Sequence, residues 1–233
     1  MKQIALSRAL AYFLEELWYT EAALSADADA AALAAPFDDA IRDWEAIALR
    51  ERTARRGMVR SDAVVAVSNG QIDTETGRFA GILLVEAGND RKSTFFKRFF
   101  TEAPSAFVAR NLRDQCEQTR DRIVPEVQKL PAESPLRPYA DRLLALAKRA
   151  LSALTQRTKA RGDNATVASD VAEWKEGINR LRTATYAELL KIAVEKRYPR
   201  DWAETFFRRD EASSSSEGEA DPTPPDPTPV TPR

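Results

Sequence analysis

The sequence predicts an all-α protein: an antiparallel helical bundle of two pseudo-repeated three-helix units, followed by a disordered C-terminal tail. Three observations carry this reading. Glycine supplies only 8 of 233 residues, while alanine, leucine, arginine and glutamate dominate, the usage of helices rather than of a β sandwich. Apolar residues recur at helical spacing over two long stretches. One holds Met58, Val65, Ile72 and Phe79 with Ile82 and Leu83. The other holds Val167, Val171, Trp174, Ile178, Leu181, Leu189 and Ile192, with Thr185 taking a stripe position. The two stretches also lie over each other at an offset of 105 to 107 residues. Arg52-Thr53 falls on Arg157-Thr158, Gly57 on Gly162, Val65 on Val171, Ile72 on Ile178, Leu83-Leu84 on Leu189-Leu190, Arg91 on Arg197 and Phe99-Phe100 on Phe206-Phe207. Order preserved at nearly constant spacing is the mark of an internal duplication.

The elements follow in order. Residues 3–25 form the first helix, with Leu10, Phe13, Leu14, Leu17 and Trp18 on its apolar side. Pro36-Phe37-Asp38 opens a second helix that runs to about Arg56, and Gly57 marks the turn into the third, although Arg56-Gly57-Met58 is weak turn chemistry that also permits a helix running straight through it. The first half closes on Phe95-Phe96-Lys97-Arg98-Phe99-Phe100, where phenylalanines three and four residues apart share a face and plug the bundle end. Pro104-Ser105 starts the second half, with the serine placed to cap free amides of the first turn. That helix runs to about Lys129, presents Phe107, Leu112, Cys116, Ile123 and Val127, and kinks at Pro125. The segment from Pro135 to Pro138 opens the next helix, which extends to about Ala160 with Leu143, Leu146, Ala150 and Leu154 inward. Gly162-Asp163-Asn164 is turn chemistry, and Tyr198, Trp202 and Phe206-Phe207 supply the second aromatic plug.

The helical domain thus spans residues 1–209, with pseudo-repeats at about 3–100 and 105–207. The tail, residues 210–233, holds Asp210, Glu211, Glu217, Glu219, Asp221 and Asp226 against Arg233, a charge of −5 that leaves +4 on the rest of the chain. It has almost no apolar side chains to offset the entropy of ordering, and its prolines favour extended conformers. Arg8, Glu15 and Glu16 interrupt the apolar N-terminus, so it lacks the core of a signal peptide, and nothing approaches the roughly 18 apolar residues of a membrane span. A cytoplasmic protein is expected.

The chain contains no histidine, which removes the commonest general base and the commonest transition-metal ligand together. Serine-histidine and cysteine-histidine nucleophilic sites are excluded. The single cysteine, Cys116, rules out an intramolecular disulfide and reads as a buried apolar thiol. No glycine-rich phosphate loop is present. No catalytic residue, cofactor or metal site is expected.

Among the carboxylates, Asp38-Asp39 with Asp43 resemble in composition the aspartate-rich helices that hold magnesium diphosphate in isoprenoid synthases. Their spacing differs, and anions at a helix start, facing free amides, are the plainer reading. Glu15 and Glu16 are adjacent, so they point about 100° apart and form no facing pair.

Arg50, Arg52, Arg55, Arg56 and Arg60 stand against a single Glu51. Arg52, Arg55, Arg56 and Arg60 share a helix face and form a candidate contact for phosphate or for a protein partner. A helix ending near Arg56 accounts for them electrostatically, because cations are favoured at a C-terminus. Stacking aromatics are missing nearby, against single-strand binding. The function expected from all this is a noncatalytic helical scaffold that presents surfaces to a protein partner or to its own copies. A nucleic-acid-associated accessory protein using the arginine face ranks second, and a carboxylate enzyme third.

Overall fold

The computed structural model describes residues 2–208, and the expected tail at 210–233 lies outside them. Among the described residues every regular element is helical, so the all-α class holds. No helix among them is long and apolar enough to cross a membrane.

Helix α1 spans Leu10–Ala26 rather than starting at residue 3. The chain before it is held differently. The Ile4 amide donates to Asn179 Oδ1 at 2.9 Å, and Asn179 Nδ2 donates back to the Ile4 carbonyl at 2.8 Å. One carboxamide thereby satisfies both backbone groups of a buried residue, the pairing a neighbouring strand would give.

The largest departure from expectation concerns the glycines. Helix α2 runs unbroken over Ala35–Glu86, 52 residues, and α7, the last α-helix, over Tyr139–Lys196, 58 residues. Neither Gly57 nor Gly162-Asp163-Asn164 turns the chain. A mid-helix glycine costs about 1 kcal/mol relative to alanine, which packing elsewhere along a long helix offsets. A turn of this kind needs a positive φ, and among the described residues only Gly88, Asn89 and Arg197 adopt one. Those positions end the two helices: Asn89 N–H returns to the Leu84 carbonyl at 2.8 Å, and Tyr198 N–H to that of Ala193 at 2.8 Å.

Between the long helices lie four short ones. α3, Thr94–Phe99, is capped by Ser93, whose Oγ accepts from the Phe96 amide at 3.2 Å. α4, Pro104–Val108, uses proline in its first turn, and Ala103 rather than Ser105 stands at the cap, without a side-chain bond. Asn111 caps α5, Leu112–Gln118. A π-helical turn, Thr119–Ile123, leads into α6, Val124–Gln128. The expected single helix is therefore two pieces, parted at residues 109–111, and the second, residues 112–128, carries a π turn just before Pro125 where a kink was expected. Pro125 has no N–H for the carbonyl four residues back and its ring crowds that carbonyl, which the wider π turn relieves.

The described residues fold as two compact units, one made of residues 2–41 with residues 179–208, the other Arg42–Ile178. In the first, Phe13, Leu17, Leu24, Phe37 and Leu189 are completely buried. Arg182 donates to Glu16 Oε2 at 2.8 Å, both side chains 3% exposed, and its guanidinium lies over the Phe207 ring at 5.1 Å. Glu15, one residue away, is exposed and meets Arg208, so the two adjacent glutamates do diverge. Trp202 Nε1 donates to Asp27, and Tyr198 and Lys196 both donate to Asp29, whose carboxyl they hold below its ordinary pKa.

In the second unit α2 and α7 run antiparallel. Val65 packs with Ala153 and Leu154, Ile72 with Ala147 and Ala150, and Phe79 with Tyr139, so numbers climb on one helix as they fall on the other. The segment α4–α6 forms a third layer over part of this pair: Leu112 meets Val65 and Ile72, Cys116 meets Ile72, and Ile123, Val124 and Val127 join Phe79 and Leu83. The first aromatic run belongs to this core. Phe96, Phe99 and Phe100 are buried, with Phe79 at 5.6 Å from Phe99 and 6.0 Å from Phe100.

Candidate partner-binding face

Counting 100° per residue, the buried stripe of α2 (Ile47, Val65, Ile72, Phe79, Leu83) occupies one side, and Arg52, Arg56, Val59, Arg60 and Ala63 occupy the opposite one, with Arg55 at its edge. These six residues line a shallow groove of about 590 Å³ within the Arg42–Ile178 unit. The four arginines are exposed, and among the described residues none has a carboxylate partner. Arginines along the seam between the helices behave otherwise: Arg50 reaches Asp170 at 3.2 Å and Arg161 reaches Asp62 at 3.0 Å.

The four sequence-singled arginines are thus together, as their spacing required. What changes is their electrostatic setting. With α2 continuous to Glu86, Arg60 lies 26 residues before its end, far beyond the last turn over which helix-end partial charges act. The helix-terminus explanation for the cluster is overturned. Each guanidinium there adds like-charge repulsion, which only Glu51, one turn before Arg55, offsets in part.

Sequence reasoning missed the apolar members of this face. Leu49 is 58% exposed, Val59 60% and Val67 55%. The signal that finds them is their angular position on α2, opposite the Val65–Ile72 stripe and among the arginines.

A second depression of about 660 Å³ lies where α5 begins, lined by Asp62, Val65, Asn69, Asn111, Leu112, Arg113, Leu154 and Arg157 among others. Most of its polar groups are engaged within the chain. Asn69 donates to Asp73, Asn111 to Asp114, and Asp62 holds Arg161.

The remaining sequence candidates resolve as structural parts. Asp38 sits in the first turn of α2. No group of three histidine, cysteine, aspartate or glutamate residues among the described ones is placed to hold a metal ion. Cys116 is completely buried against Ile72, Ala147 and Ala150; burial first, then the negative charges of Asp73 and Glu117, push its thiol up to about 11. Its environment disfavours the thiolate that reactive chemistry requires.

Comparison with known protein families, curated proteins and solved structures finds no match.

Proposed function

We propose that the protein is a noncatalytic helical scaffold that binds an acidic, amphipathic segment of another protein along the outward face of α2. The observation that carries this is the mid-helix position of Arg52, Arg55, Arg56 and Arg60: four unpaired cations around an exposed valine, with no helix terminus to favour them. A partner whose carboxylates meet the arginines and whose apolar residues cover Leu49, Val59 and Val67 supplies what the face lacks.

Nucleic acid is the second reading, favoured by the same arginines. A phosphate backbone uses the cations but gains nothing from the exposed Leu49 and Val59, which is why the protein partner ranks first. A cytoplasmic setting and an antiparallel bundle belong to this reading. So does descent from a duplicated unit, supported by a shared order of elements: in each half a first helical segment, a helix of over fifty residues passing through the aligned glycine, and an aromatic closing segment.

Fluorescence anisotropy at about 150 mM salt separates the two, a condition under which the Debye length is about 8 Å and weak surface attraction is screened. The probes are a helical peptide alternating glutamate and leucine faces, duplex DNA and single-stranded DNA. The peptide is expected to bind, and to lose affinity both in Arg52→Gln/Arg55→Gln/Arg56→Gln and in Val59→Ser. Tight duplex binding that the arginine substitutions weaken and Val59→Ser leaves unchanged would replace the protein-partner reading with the nucleic-acid one.

A further inference from the structure

We propose that the helix pair of the Arg42–Ile178 unit contains a compliant joint, lying between Ile47 and Val65 on α2 and between Leu154 and Val171 on α7, with Gly57 and Gly162 as its pivot. No residue between Ile47 and Val65 is buried on α2, and none between Leu154 and Val171 on α7. Val65 packs on Leu154, and Arg50 reaches Asp170, so these two unburied spans lie opposite each other. Where the buried stripes are interrupted, their positions are taken by Ala54, Met58 and Ser61 on α2 and by Ala160, Asn164 and Val167 on α7, all only partly buried. Ala54, Ser61, Ala160 and Asn164 are small or polar, and none of the six is fully buried, so the span buries little apolar area. Low burial is what makes a segment open locally before the rest.

The cross-pairs that bracket the joint restrain it weakly. Arg50–Asp170 and Arg161–Asp62 are between 39% and 57% exposed at every partner, so solvent and salt screen both.

Gly57 and Gly162 fall within about one helical turn of the same level across this seam. A Cβ at either would meet nothing within 4 Å, so no close approach demands a glycine. Neither has a positive φ. What a glycine does in that setting is weaken the helix, by about a factor of five in the local opening equilibrium relative to alanine. Two such residues at one level of the helix pair, where the core is thinnest, concentrate bending there. The arginine face spans this level, so the joint sets the curvature that face offers; that consequence rests on the partner reading above, while the joint itself does not.

Leu49, Val67 and Val85 are all exposed on α2 and stand eighteen residues apart, a whole number of turns, so labels at them share one side. Spin-label distances are measured in Leu49→Cys/Val67→Cys, which straddles the joint, and in Val67→Cys/Val85→Cys, which lies on the three-layered part. A straight helix sets both near ~27 Å of axial rise. Buried Cys116, its thiol protonated at neutral pH, takes no label. The first pair is expected to give a broad distribution with a short-distance shoulder, the second a narrow one. Gly57→Ala with Gly162→Ala is expected to narrow the first to the width of the second. Equal narrow widths in the parent chain would overturn the joint, and a width that the two alanines leave unchanged would overturn the glycine pivot. No ligand enters the measurement, so its failure is separate from failure of the partner reading.

Discussion

Helix α2 passes through two environments. From Val65 to Leu83 its inward stripe is buried under α7 and the α4–α6 layer, and Phe79 touches three aromatic rings. From Ala48 to Val64 the same helix has α7 alongside, no buried residue, a central glycine and four unpaired arginines on its outer face. One helix therefore does two jobs: the covered part supplies the stability that lets the uncovered part carry cations, glycine and exposed aliphatics without losing helical form. Helical stability in proteins comes mainly from packing of one face, and a long helix shares it along its length.

Substitutions on the two sides of Val65 break or sharpen this contrast. Phe79→Ala, inside the aromatic cluster, is expected to cost about 3 to 5 kcal/mol in urea unfolding, the usual range for removing a buried phenylalanine. Met58→Ala, at the partly buried seam, is expected to cost only about 1 kcal/mol, because little apolar area is lost and the neighbours close in. Similar losses at the two sites would mean that the uncovered stretch is packed as tightly as the covered one.

A pH comparison probes the covered side. Burial raises the Cys116 thiol to about 11 from an ordinary 9.0, so the native chain keeps a proton that the unfolded chain gives up. Native stability from this group is intact below pH ~9 and falls as pH rises toward ~11. Cys116→Ala should remove that part of the alkaline decline, seen as a smaller stability difference between pH 9 and 11 than in the parent chain. An unchanged decline would place the thiol in contact with solvent.

The smallest effect is expected at the seam's charges. Arg50→Ala should alter stability by under about 0.5 kcal/mol, since an exposed pair is worth little. A larger loss would show the joint to be held by its ion pairs.

The buried stripe was legible because apolar spacing is a local property: Val65, Ile72, Phe79 and Leu83 repeat at helical intervals and all are buried. The aromatic run at 95–100 was legible for the same reason. The turn at Gly162-Asp163-Asn164 was misread, and the one at Gly57 stayed open, because turn chemistry is also local, whereas continuity through a glycine depends on a partner helix more than 90 residues away in sequence. Asn179 clamping Ile4 and Arg182 holding Glu16 were invisible for the same cause, with partners 175 and 166 residues apart. The arginine cluster was visible as a cluster; its meaning changed once α2 proved continuous.

Amide hydrogen exchange along α2 in the unaltered chain tests the contrast most directly, because every residue of one helix reports on its own opening. The account predicts that amides from Ile72 to Leu83 exchange slowest, through opening of the whole core, and that those from Arg52 to Ser61 exchange faster, through a local opening centred on Gly57. Uniform protection from Arg52 through Leu83 would contradict it, showing α2 to be one rigid rod.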